Sequence, residues 1–119
     1  MKAGNATVGA RLRVVMGPGV AIGPGKADLL EGIKVTGSIS GAGRRMGMSY
    51  KRAWYLVEAL NGHFPEPLVE ALKGGRAGGG ARLTPLGEEV LSAYREMEAS
   101  TRAAIGPVLE RLTRKITSL

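Results

Sequence analysis

Residues 36–54 read TGSISGAGRRMGMSYKRAW, two short helix-forming patterns punctuated by a glycine. Ser38 and Ser49 each stand where a helix needs an N-cap, because a serine oxygen accepts from the free N–H groups of a first turn. Between them Gly47 breaks the first helix. That helix carries Ile39, Ala42 and Met46 on one side; the second carries Ala53, Val57 and Leu60, with Trp54 and Leu56 beside them. Two short helices meeting at such a turn predict a helix-turn-helix, and the rest of the chain must pack around the angle between them.

The flanking segments fit that core. Residues 1–9 lack periodicity and are expected to be a flexible N-terminus. From 11 to 16 the pattern alternates, Leu12, Val14 and Met16 against Arg11, Arg13 and Val15, which is strand spacing. A Gly-Pro-Gly turn at 17–19 and a short return strand at 20–22 complete a hairpin, and Gly23, Pro24 and Gly25 stop it. Leu29, Leu30 and Ile33 recur at helical spacing within 26–35, and Gly37 ends that helix. Pro65 and Pro67 keep the link after Gly62 non-helical. Residues 68–72 and 81–83 read as strands around a glycine-rich tip at 73–80. Thr84 caps a last helix with Pro85 at its first position. Its apolar stripe is Val90, Tyr94, Met97, Thr101 and Ala104. Gly106 and Pro107 are expected to break or kink it, leaving a short amphipathic piece with Val108, Leu109, Leu112 and Ile116. The expected fold is therefore α+β and mostly helical: a winged helix-turn-helix over 10–105 with an N-terminal β-hairpin, a glycine-rich wing and a long C-terminal helix, then a helical tail over 106–119.

Charge narrows the function. Seventeen Lys and Arg against ten Asp and Glu leave a formal net charge of +7 in 119 residues, so an anionic partner is favoured. There is no cysteine, which excludes disulfides and thiolate metal sites and fits a reducing cytoplasm. Nothing in the sequence has the length and apolarity of a membrane span or a signal peptide, so a cytoplasmic protein without membrane attachment is expected.

The cations concentrate where the motif would use them. Ser49, Tyr50, Lys51 and Arg52 fall on the first turn of the second helix, the end that enters a DNA major groove in such motifs, and their donors suit base edges and phosphates. Arg44 and Arg45 close the first helix, which crosses the sugar–phosphate backbone, and Ser38 and Ser40 open it. The plain alternative is a pair of capped helices with a solvated basic face. Tyr55 lies a turn beyond Lys51 and either touches DNA or packs on the wing. The tip offers Lys73 and Arg76 on a backbone that glycine lets pass close to a duplex. Trp54, the only tryptophan, is expected in the core rather than as a stacking platform, and Met46 and Met48 pack in the core or turn.

Enzyme chemistry finds no foothold. Gly25 and Lys26 open a helix, but Val20 and Ala27 stand where a phosphate loop needs glycine and Ser or Thr. His63 is the only histidine, and no carboxylates cluster in the sequence for a metal or a catalytic dyad. No catalytic residue, metal site or cofactor is expected.

On these residues the chain resembles the N-terminal DNA-binding domain of the ModE family, which is related to the helix-turn-helix of LysR-type regulators. The matching stretches are KADLL at 26–30, GSIS at 37–40, GMSYK at 47–51 with Ala53 and Trp54, and Leu60 with Asn61. They continue through Gly74, Gly75, GGGA at 78–81, Leu83, Thr84 and Gly87, so that the resemblance covers 11–104. It implies a winged helix that dimerises through its terminal helices and binds a palindromic operator, with Ser49, Tyr50, Lys51 and Arg52 on the recognition helix and 73–80 on the wing. ModE proteins sense molybdate with C-terminal oligosaccharide-binding-like domains that these 119 residues do not contain, so direct molybdate binding is not expected of them. The expectation is a homodimeric, sequence-specific regulator of transcription on double-stranded DNA; the residual stripe Val90, Tyr94, Met97 and Ile105 is its expected dimer surface. A protein-interaction winged helix and a sequence-neutral architectural DNA binder are the rivals.

Overall fold

The computed structural model describes residues 8–72 and 80–116. An antiparallel hairpin, β1 (Val14–Gly17) and β2 (Val20–Ile22), leads into three helices, α1 (Pro24–Thr36), α2 (Ile39–Met46) and α3 (Tyr50–Gly62). A second hairpin, β3 (Val69–Leu72) and β4 (Gly80–Leu83), precedes α4 (Pro85–Thr113). The two hairpins form separate sheets. This is the winged helix-turn-helix that the sequence predicts, with the glycine-rich tip, including Lys73 and Arg76, outside the described residues.

One core joins the elements. Leu29, Leu30 and Ile33 of α1 meet Ile39 and Ala42 of α2, the stripe Ala53, Val57 and Leu60 of α3, Leu68 with Val69 and Leu83 at the wing base, and Leu91 with Tyr94 of α4. Each fully buried Leu or Ile stabilises by roughly 1.5–3 kcal/mol, so this cluster fixes the helix angles rather than the turns alone. Close approach sharpens the angle between α1 and α2, because a Cβ on Gly32 would lie 3.0 Å from that of Ala42.

The wing is tied down at its base. Ala81 N donates to Gly37 O (2.9 Å), linking β4 to the end of α1. Asn61, at the end of α3, accepts from Leu68 N (2.9 Å) and Val69 N (3.1 Å) and donates to Val69 O (3.1 Å). Asn61 thus does more than close a helix: it splices the second helix of the motif to the wing. Thr84 caps α4 by accepting from Gly87 N and also donates to Pro67 O, at 3.0 and 2.7 Å.

Several local expectations need correction. The β1 ladder starts at Val14 rather than at 11, and its register slips between Val15 and Gly17, so Met16 falls in a bulge and is 49% exposed. The return strand ends at Ile22, before Gly23, Pro24 and Gly25, but α1 begins at Pro24 rather than at 26, because the missing N–H of a proline costs nothing at a first helical position. The buried stripe of α4 is Gly87, Leu91 and Tyr94, turned from the expected one because Leu91 rather than Val90 enters the core. And α4 runs through Pro107 without a break: the carbonyl of Ala103 loses a partner there, but both residues face solvent, where water serves instead. Tyr94 is 1% exposed and belongs to the core, so it drops out of the expected dimer stripe.

Candidate nucleic-acid interface

The site is the turn from α2 to α3. Ser38 Oγ accepts from Gly41 N (2.8 Å), and Ser49 Oγ accepts from Arg52 N (3.1 Å), so both serines serve as the caps that their positions suggest. Gly47 adopts φ 72°, the left-handed region that costs an L side chain about 1–2 kcal/mol, and its N–H closes α2 on Arg44 O (3.1 Å). Met48 N donates to Gly43 O (2.9 Å), which turns the chain back across α2. A Cβ on Gly43 would meet the Cβ of Ala53 at 3.2 Å, so α2 and α3 pack closely just behind the exposed first turn of α3.

That first turn presents Ser49, Tyr50, Lys51 and Arg52 to solvent, and Arg44 and Arg45 are exposed at the end of α2. Ser38 and Ser40 are half-buried at the start of α2. Tyr55 is 66% exposed on α3. Trp54 is half-buried against the core, not stacked in solvent, and its indole Nε1 donates to the Tyr50 hydroxyl. The Tyr50 oxygen is thereby used as an acceptor while its own proton stays free to donate to an anion. The tyrosine is 55% exposed and is held by a partner one turn further along.

Among the described residues the ion pairs lie away from this face. Arg95 binds Asp28 (2.9 Å), Glu31 (3.0 Å) and Glu98 (2.9 Å), Lys34 binds Glu88, Arg82 binds Glu70, and Arg114 binds Glu110. Burial works against the Arg95 charge, but hydrogen bonds to Asp28, Glu98 and Glu31 outweigh it and hold the guanidinium above the usual arginine range. Among the described residues Arg13, Arg44, Arg45, Lys51 and Arg52 make no ion pair with a carboxylate. The paired acids lie on α1, α4 and the wing; Glu58, on α3 itself, is exposed and in no ion pair among the described residues, but it lies beyond the first turn that carries Lys51 and Arg52.

The structure also brings in two cations that the sequence does not connect with the motif. Arg13, before β1, and Lys26, in the first turn of α1, line a cleft of about 300 Å³ together with Arg52. Separated along the chain by hairpin and helix, each looks like an ordinary solvated cation until the fold is known. No group of three or more His, Cys, Asp or Glu is placed to hold a metal ion among the described residues. Among them, no helix is long and apolar enough to cross a membrane.

Comparison with known proteins agrees with this geometry. The model of the bacterial regulatory helix-turn-helix protein, lysR family, matches residues 28–88, from α1 to the first turn of α4. The molybdenum-pterin-binding protein MopB of Rhodobacter capsulatus is 49% identical over 81 residues, covering 68% of this chain and 30% of MopB. The molybdenum transport protein ModE of Azotobacter vinelandii is 38% identical over 103 residues, 87% of this chain and 38% of its own. The DNA-binding transcriptional dual regulator ModE of Escherichia coli K12 is 39% identical over 71 residues, 60% of this chain and 27% of that protein. The chain therefore spans about a third of the length of the curated relatives it matches.

Proposed function

The chain belongs to the lysR family of bacterial regulatory helix-turn-helix proteins, and from that membership we propose that it binds double-stranded DNA sequence-specifically as a regulator of transcription resembling ModE. The observation that carries the reading is the unpaired, exposed first turn of α3, set at the end of a tight turn from α2. In this reading the N-terminal end of α3 enters the major groove, where Lys51 and Arg52 reach guanine O6 and N7 and Ser49 and Tyr50 supply hydroxyl donors. Arg44, Arg45 and the serines that open α2 hold the sugar–phosphate backbone, Tyr55 lies on the same exposed side, and Lys73 and Arg76 act from the wing.

The protein works as a homodimer in the cytoplasm. Support comes from α4, whose second half carries Val108 and Leu112 exposed one turn apart, with Ile105 and Leu109 half-buried beside them; Ile116 is exposed just beyond the helix end. Such a stripe on a helix that extends beyond the core is what a second copy would cover. Molybdate binding is not part of the proposal.

Selection of bound duplexes from random DNA tests the reading. The expected product is an enriched motif with two half-sites related by a dyad and spaced by about one helical turn, unchanged when molybdate is added. Equal recovery of all sequences would make the protein a sequence-neutral binder. No binding to mixed-sequence DNA at low salt would remove nucleic acid from its function altogether.

A further inference from the structure

We propose that the cleft formed by Arg13, Lys26 and Arg52 receives a phosphodiester of the DNA backbone; this rests on the DNA-binding reading above. Three cations from three separate segments line the cleft, and no carboxylate does; the apolar parts of the wall include Met48 and Leu56. Like charges gathered without a counter-charge repel, and an anion between them relieves that repulsion.

The cleft is shaped rather than accidental. Lys26 Nζ donates to Ala21 O (3.0 Å), which anchors the ammonium against the hairpin and leaves two of its three donors for a ligand. The Arg13 stem runs beside Gly23, its Cγ 4.0 Å from where a Cβ on that residue would stand, an ordinary van der Waals distance that places it against the link between hairpin and α1. Arg13 makes no ion pair among the described residues.

Position assigns the anion to DNA. Ala53 faces α2, and Arg52, one residue earlier, is turned about 100° from it around α3. The wing docks at Gly37, at the far end of α1, and the cleft lies at the near end, roughly 18 Å away at 1.5 Å per residue. The major groove is about 12 Å wide, so a helix lying in it has a phosphate row on either side. In this proposal Arg44 and Arg45 serve one row and the cleft the other. Arg52 then stands where groove and backbone contacts meet.

The test measures duplex affinity against salt for the full chain, Arg13→Gln, Arg13→Lys and Arg111→Gln. The last removes one charge from the exposed far end of α4 and controls for net charge. The proposal expects Arg13→Gln to weaken specific and mixed-sequence duplexes by the same factor and to flatten the log–log salt slope by about 0.9. Arg13→Lys should keep most of the slope and Arg111→Gln all of it. A slope for Arg13→Gln equal to the parent's, or to that of Arg111→Gln, overturns the cleft assignment while leaving DNA binding intact. Absence of duplex binding by the parent overturns both. Replacing chloride by inorganic phosphate at constant ionic strength should leave the melting temperature unchanged. A rise that Arg13→Gln abolishes would assign the cleft to a free anion and overturn the DNA contact.

Discussion

Arg52 divides its work between backbone and side chain: its N–H is taken by the Ser49 cap, and its guanidinium is exposed beside Lys51. Replacing Lys51 and Arg52 together by Ala leaves the cap in place, so the fold should be spared. Operator affinity should fall by about 1–3 kcal/mol for each bidentate hydrogen-bonded base that goes unread, measured by gel shift, with a melting temperature close to the parent's. Unaltered affinity would take α3 out of the groove. Trp54→Ala is a contrast, since its ring is half-buried. The cost should stay below the roughly 3–5 kcal/mol of a fully buried aromatic, and a thermal melt gives the value.

Tyr94 adds a pH test at the same scale. Its hydroxyl donates to Leu12 O (2.7 Å), and burial first, then the Glu98 carboxylate, push its pKa from 10.0 up to about 12. A group whose pKa is raised on folding contributes stability that is fully present below the unfolded value and is lost as pH rises through the folded one. Tyr94→Phe should therefore cost about 1 kcal/mol near neutrality for the missing hydrogen bond, and the gap to the parent should narrow between pH 10 and about 12. Melts across that range that kept a constant gap would contradict the assignment. Residues of this kind show what a sequence can and cannot tell. Ser38, Ser49 and Thr84 are legible because a cap bonds three residues ahead. Tyr94 to Leu12 and Asn61 to the wing are not, because those partners are brought near only by the fold.

Among elements, the α2–α3 turn depends most on one backbone conformation. Gly47→Ala places a Cβ in the left-handed region and should destabilise by about 1–2 kcal/mol, whereas Gly47→Asn should recover part of the loss because asparagine tolerates that region. Equal melts for Ala and Asn would mean that the turn had moved to another conformation. Helices α1 to α3 are legible in sequence since their apolar residues keep period and their caps are local. The elements that departed have local patterns outweighed by tertiary geometry. Met16 belongs to an alternating run, but it falls in a bulge opposite the three-residue β2. Gly87 carries no hydrophobic signal, yet it is buried because a Cβ there would lie 2.1 Å from Leu68 O. Once Gly87 faces the wing, Leu91 and Tyr94 must follow it inward, and Val90 rotates to the edge.

At the scale of the whole molecule, the extents of 55 × 29 × 21 Å follow from α4. Its 29 residues make a rod of roughly 44 Å at 1.5 Å per residue, and its buried residues end at Tyr94. Beyond them the helix is steadied on one side by the chain from Val8 to Leu12, which forms a groove of about 270 Å³ with Ile105 and Leu109. Val108 and Leu112 remain 47% and 60% exposed. A monomer gains nothing from that apolar surface, so charges introduced there should leave the fold alone and strike only at the second copy. Val108→Glu with Leu112→Glu is expected to keep the parent's helical circular dichroism and melt cooperatively, yet sediment as a monomer. Its binding to one half-site should match the parent's, while binding to a dyad-related pair should weaken by about 10²-fold or more, because the second binding event is no longer intramolecular. A variant that still sedimented as a dimer would place the interface elsewhere. A parent already monomeric, and equally tight on one half-site or two, would remove the dyad from the operator as well.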